Sequence, residues 1–211
     1  MAHKFAEIAF TDAVKSVQQT MGSRSAYARR QAGSDINGQL GPDEIKFVAE
    51  RDSFYIASVS ETGWPYVQFR GGPAGFLKVL DEQTLGFADF RGNRQYITTG
   101  NVATVDRISL LLMDYPNRRR LKIFGRMHVI GTRDDTALTA SLTIADYAAV
   151  VERVMLIKVE AFDWNCPQHI TPRFTENEIA AAFASHMEGS SNNCGPPSSA
   201  NALRSGRMQN K

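Results

Sequence analysis

The sequence predicts a mainly β, α+β protein: an antiparallel barrel of six or seven strands with helices packed against its outside. Two observations carry this expectation. From Ser53 onward, β-branched and aromatic stretches follow one another and are joined mostly by short turns. They do not alternate with long helices, which disfavours a doubly wound parallel sheet. A chain of 211 residues is long enough to bury a core of its own within one decorated domain.

Before Ser53 the pattern is helical. Phe10, Val14 and Val17 recur at helical spacing behind Thr11, a suitable N-cap. A second short helix is expected over Ser25 to Gln31, and Gly33 to Gly41 reads as a loop. Pro42 suits the first position of a helix and puts Asp43 and Glu44 in its first turn. That helix should carry Ile45, Phe47, Val48 and Ala49 to about Arg51.

The strands then follow in order. Phe54 to Ser60 turns through Glu61-Thr62-Gly63 into Pro65 to Arg70, and Gly71, Gly72 and Pro73 break that strand. Gly75 to Leu80 turns at Asp81-Glu82-Gln83 into Thr84 to Asp89. After a turn from Arg91 to Gln95, a short helix should cover Tyr96 to Gly100. Arg107 to Met113 is apolar enough to be expected buried on both faces. Tyr115-Pro116-Asn117 leads into Arg119 to Ile130, whose apolar positions are Leu121, Ile123, Met127 and Val129. One or two short helices are expected between Asp134 and Ala149, and Val150 to Phe162 is the last strand. A loop opening on Trp164 precedes a helix from about Thr175, with Glu178 at capping-box spacing. Gly, Ser, Asn and Pro dominate from Glu188, which predicts a mobile tail. The expected organisation is a helical extension over residues 1–41, the barrel domain with its C-terminal helix over 42–187, and the tail over 188–211.

Composition excludes several classes. The apolar fraction of 43% fits neither a disordered nor a membrane protein. A net charge of +2 does not argue for nucleic acid, and no apolar run suggests a signal peptide or a bilayer span. With two cysteines, Cys166 and Cys194, a disulfide scaffold is not expected and a reducing, cytoplasmic setting is. The four histidines show no metal-ligand spacing, and no P-loop, GxGxxG or Ser-His-Asp pattern occurs.

The chemistry is expected around the turn at Arg91–Gln95. A turn entering a helix presents free backbone N–H groups at a positive dipole end, which favours a phosphate. Arg94 would add charge-assisted bonds and Asn93 an amide; a solvated basic turn is the bland alternative. Gln68 and Arg70 share a strand face because side chains alternate, and the backbone at Val67 and Phe69 could meet the edge of a flat ring. Read without a ligand, the same residues are an exposed strand with an ion pair. Arg118, Arg119 and Arg120 open a strand, where charge protects an edge or one of them reaches a cofactor or a subunit interface. The loop from Asp163 to Arg173, with Trp164, Cys166, Gln168 and His169, is dense in functional residue types.

These segments resemble the FMN-binding split β-barrel of the pyridoxamine 5'-phosphate oxidase-like proteins. The matching features are FYIASVS, a Gly-x-Pro hairpin, YVQFR, DFRGNRQ, ISLLLMDY and RLKIFGRMHVI, and WNCPQHITPR is similar to the C-terminal segment of one branch. The resemblance implies a homodimer with FMN in clefts between subunits, and a nicotinamide or small-molecule electron donor. It implies that Val67, Gln68, Phe69 and Arg70 line the isoalloxazine edge, that Phe87, Ala88 and Asp89 flank it, and that Asn93 and Arg94 hold the phosphate. Arg120, Trp164, Gln168 and His169 would approach from elsewhere, including the second subunit. Oxidases of pyridoxamine phosphate proper usually carry an arginine near the Gln68 position and a lysine near Arg94. FMN binding therefore transfers better than that reaction. The expected activity is hydride transfer through flavin N5; the alternatives are a non-catalytic flavin-binding or redox-sensing protein, or a relative adapted to deazaflavin or haem.

Overall fold

In a computed structural model, the described residues are 3–32 and 37–191. Part of the expected loop before Pro42 and most of the expected tail lie outside them.

Seven strands form one antiparallel sheet: β1 (Ser53–Val59), β2 (Pro65–Gly71), β3 (Lys78–Asp81), β4 (Thr84–Phe90), β5 (Arg107–Asp114), β6 (Arg119–Gly131) and β7 (Val151–Trp164). Their order is β2-β1-β5-β6-β7-β4-β3, so β2 and β3 are the edges and the barrel is split rather than closed. The sheet nevertheless curls until its two ends face each other. Phe54 on β1 meets Phe87 on β4 at 5.4 Å between ring centres and stacks on Phe76 at 5.5 Å. Phe54, Phe76 and Phe87 are almost fully buried, and Leu85, Leu110, Leu112, Leu121, Ile123 and Ile157 fill the same interior. Burying such side chains stabilises the fold by roughly 1.5–3 kcal/mol each.

The long hairpin of β6 and β7 is the spine of the sheet. Its register shifts between Phe124 and Gly125. A Cβ at position 125 would lie 2.7 Å from the Lys158 carbonyl oxygen, so only glycine admits this close approach. Above the hairpin, Phe5 stacks on Phe124 at 4.6 Å and fixes α1 (Lys4–Ala9) against the barrel.

Most elements fall where periodicity and caps put them. Thr11 caps α2 (Asp12–Thr20) by accepting from the Val14 N–H. The helix α3 (Arg24–Gln31) follows. Pro42 opens α4 (Pro42–Ala49), where Glu44 accepts from the Gly41 N–H at 3.0 Å. The helix α5 (Ile97–Thr104) follows the basic turn.

Three expectations change. β5 is not buried on both faces: Ile108, Leu110 and Leu112 point into the core, while Ser109, Leu111 and Met113 are only half-buried. Only one of its faces is covered by the barrel interior. The third strand is shorter than Gly75 to Leu80, because Gly75 turns at φ +77° and Phe76 and Leu77 are drawn into the core. Val129 is 39% exposed, since the end of β6 runs past the core that buries Leu121, Ile123 and Met127. Between Asp134 and Ala149, where one or two short helices are expected, the structure has one, α6 (Thr136–Leu142), capped by Asp135, which accepts from the Leu138 N–H at 2.8 Å.

A second compact unit begins at Arg173 and contains α7 (Glu176–Ser191). Thr175 and Glu178 form the expected capping box, with Oε2 of Glu178 accepting from the Thr175 N–H at 2.7 Å and Oγ1 of Thr175 from the Glu178 N–H at 3.2 Å. This helix runs through Glu188 to Ser191, beyond where the tail was expected to start.

Candidate functional site

The two ends of the curled sheet meet at Arg70. Alternation along β2 turns Gln68 and Arg70 inward, half-buried, and leaves Val67 62% and Phe69 58% exposed on the other face. A guanidinium Nη1 of Arg70 donates to Oδ1 of Asp89 on β4. Asp89 is 4% exposed and stands opposite Arg153 in the β4–β7 register. Arg153 Nε lies 3.6 Å from the second carboxylate oxygen. Burial pushes the Asp89 carboxyl up from its ordinary range, against the pull of Arg70 and Arg153.

Beside this pair Glu152 collects three donors. Its Oε1 accepts from Arg91 Nε at 2.9 Å and from the Tyr96 hydroxyl at 3.2 Å, and its Oε2 from Arg153 Nη2 at 2.7 Å. Partial burial works to raise this carboxyl; the Arg91 and Tyr96 hydrogen bonds and the arginine charges outweigh it and hold the group below its usual range. The Tyr96 ring lies over the Arg153 guanidinium at 4.6 Å, and its oxygen accepts from Arg94 Nε at 3.2 Å. Arg94 and Tyr96 both adopt left-handed backbone, at φ 61° and 54°, which lets the turn double back before α5. Asn93 Oδ1 accepts from the Gln95 N–H at 3.2 Å and tightens the same turn. From the first turn of α5, the Thr98 hydroxyl donates to Gln68 Oε1 at 2.8 Å, and Thr99 Oγ1 accepts from Arg153 at 3.2 Å.

Two small adjoining clefts result, with volumes of about 200 and 190 Å³. Gln68, Arg70, Asp89, Phe90 and Gly92 line both. Asn93, Arg94, Tyr96, Thr99 and Glu152 complete the first, and Phe69, Phe76, Phe87 and Ala88 belong to the second. Arg70 and Arg94 line the first cleft together with the carboxylates of Asp89 and Glu152, and Arg91 and Arg153, which line neither cleft, pair with those carboxylates from behind. Nε of Arg70 is buried without a hydrogen-bond partner. A cleft of this kind suits a ligand with a phosphate monoester and a flat polar ring.

The structure therefore brings together Gln68, Phe69, Arg70, Phe87, Ala88, Asp89, Asn93 and Arg94. Val67 shares the outer face of the strand with Phe69 but lines neither cleft. Arg120, Trp164, Gln168 and His169 line neither cleft. Trp164 Nε1 donates to Glu44 Oε1 at 2.6 Å, its ring sits under Arg119 at 4.6 Å, and Arg120 donates to the Asn165 side-chain carbonyl. Gln168 and His169 are exposed. Sequence reasoning missed Tyr96, Thr98, Thr99, Glu152 and Arg153. The last two are an ordinary charge pair at the start of an apolar strand, and only the pairing of β4 with β7 gives them a role. Among the described residues no cluster of three or more His, Cys, Asp or Glu could hold a metal, and no helix is long and apolar enough to cross a membrane.

Fold and site together define a split-barrel protein with a cleft between its second and fourth strands, lined by Arg70 and Arg94. A family model described as "Pyridoxamine 5'-phosphate oxidase" matches residues 42–164, more than half of the chain, and the chain belongs to that family. Among solved structures, a putative pyridoxamine 5'-phosphate oxidase from Lactobacillus delbrueckii is similar at 19% identity, covering 61% of this chain and 96% of its own, with a TM-score of 0.47. An FMN-binding protein from Syntrophomonas wolfei is similar at 10% identity, covering 71% and 97%, with a TM-score of 0.43. HutZ, a heme storage protein from Vibrio cholerae, is similar at 14% identity, covering 59% and 94%, with a TM-score of 0.37. No curated protein matches the chain.

Proposed function

We propose that this protein is an FMN-dependent oxidoreductase of the pyridoxamine 5'-phosphate oxidase-like type, working as a cytoplasmic homodimer. The observation that carries the reading is the exposed Arg94 guanidinium that lines the first cleft, beside the first turn of α5. A phosphate monoester near neutral pH carries about −1.5 to −2 and can take charge-assisted hydrogen bonds from such a guanidinium. Arg94 and the Asn93 amide would hold the phosphate, and the unpaired N–H groups at the start of α5 would add to them. When bound, FMN supplies hydride transfer through its ring system, and the protein supplies position and electrostatics. Gln68, held by Thr98, and the buried Nε of Arg70 offer donors to a flat polar ring, and Phe69, Phe87 and Ala88 offer apolar surface.

Arg120, Trp164, Gln168 and His169 enter this reading as residues one subunit lends to its partner's cleft. The electron donor would be a nicotinamide or another small molecule. One feature favours the alternative of a flavin holder without turnover: Asp89 and Glu152, the cleft carboxylates, are both tied to arginines.

The purified protein is expected to be yellow and to release FMN on denaturation. A colourless protein that takes up no added FMN refutes the cofactor. Steady-state oxidation of NADH or NADPH with a panel of acceptors separates the enzyme from the holder. Sedimentation should give twice the chain mass; a monomer that retains flavin refutes the shared cleft.

A further inference from the structure

Arg94 has a long side chain, is exposed, and extends from a turn. Nothing in such a setting fixes a guanidinium unless a neighbour does, and freezing it on binding costs affinity. Here the neighbour is Tyr96. Its hydroxyl has one proton, which goes to Glu152 Oε1 at 3.2 Å, so an oxygen lone pair is left facing Arg94 Nε, also at 3.2 Å. The donors run in one direction, Arg94 to Tyr96 to Glu152, an arrangement in which each bond polarises the next. Glu152 is itself immobilised by Arg91 at 2.9 Å and Arg153 at 2.7 Å, and the Tyr96 ring is seated on the Arg153 guanidinium. The relay uses only the Nε edge of Arg94 and leaves both Nη groups for a ligand.

We propose that Tyr96, anchored by Glu152, is the positioning residue that presents Arg94 to the ligand's phosphate and so sets selectivity for the phosphorylated flavin over its unphosphorylated form. This rests on the FMN reading above. Tyr96 acts only through Arg94. Removing its hydroxyl should therefore weaken ligands that have a phosphate, leave ligands without one unchanged, and do nothing once Arg94 is gone. Tyr96→Phe keeps the ring over Arg153 and removes only the relay.

The test is flavin-fluorescence titration of the full-length apoprotein with FMN and with riboflavin. The proteins are the wild type, Tyr96→Phe, Arg94→Ala and the double variant, with thermal melts to confirm that each is folded. Loss of one hydrogen bond to a charged group predicts that Tyr96→Phe weakens FMN about 10-fold and changes riboflavin less than about 2-fold. The double variant should bind FMN as Arg94→Ala does, since the two residues form one unit. Equal weakening of both flavins by Tyr96→Phe, or losses that add in the double variant, overturns the relay while leaving the cofactor in place. A wild-type protein that binds no FMN refutes the cofactor reading, and the relay with it.

Discussion

Replacing Arg94 with alanine isolates the phosphate from the rest of the ligand. The structure makes this clean because the Arg94 side chain makes one hydrogen bond, to the Tyr96 hydroxyl, and is otherwise exposed. No carboxylate among the described residues pairs with it, so its removal leaves no buried counter-charge behind. Hydrogen bonds to charged groups contribute about 1.5–3 kcal/mol each. At about 1.4 kcal/mol per decade, losing one such bond raises the FMN dissociation constant roughly 10- to 150-fold. Riboflavin lacks the phosphate and should bind variant and wild type alike. Fluorescence quenching of each flavin by apoprotein measures both constants under one set of conditions. Salt should weaken FMN more than riboflavin in the wild type, because the Arg94 contact is exposed and screened. Equal losses for the two flavins on Arg94→Ala would move the phosphate to another arginine and refute the assignment.

Two further outcomes concern carboxylates, one in the cleft and one in the turn between β3 and β4. Asp89→Ala leaves Arg70 and Arg153, whose side chains are 16% and 15% exposed, without their shared buried counter-charge, and should cost about 3–5 kcal/mol in urea unfolding. A loss below about 1 kcal/mol would mean that water or ligand already compensates these guanidiniums. Asp81 provides the pH test. Its Oδ1 accepts from the Gln83 N–H at 2.7 Å, and that bond holds the carboxyl below its ordinary 3.8. Because the folded value is the lower one, its stabilisation is fully present above the unfolded value and is lost as pH falls through the folded one. The stability gap between wild type and Asp81→Ala should therefore be constant near neutrality and shrink below about pH 4; a gap that widens in acid would contradict it.

Much of the fold is legible in the chain. Caps are local, so Thr11, Pro42 with Glu44, and Thr175 with Glu178 mark their helices where the structure has them. Strand existence follows from composition and turn residues, and Glu61-Thr62-Gly63 joins β1 to β2 as expected. The misreadings arise where neighbours distant in sequence decide. An apolar run cannot report that one face of β5 is only half-covered, and a strand pattern cannot report that Phe76 and Leu77 will leave the sheet to fill the barrel.

The site divides in the same way. The sequence by itself determined the basic turn at Arg91–Gln95 and the shared face of Gln68 and Arg70, because each depends on local spacing, and its resemblance to a known family pointed to the one that residues 42–164 match. Tertiary structure alone decided that Arg70 meets Asp89 across the split, that the β4–β7 register brings Arg153 beneath Tyr96, and that Glu152 ties the turn together. It also separated Arg120 and Trp164 from that cleft within one chain. Long-range strand pairing sets these contacts, and a charge pair such as Glu152-Arg153 carries no mark of which strand will lie beside it.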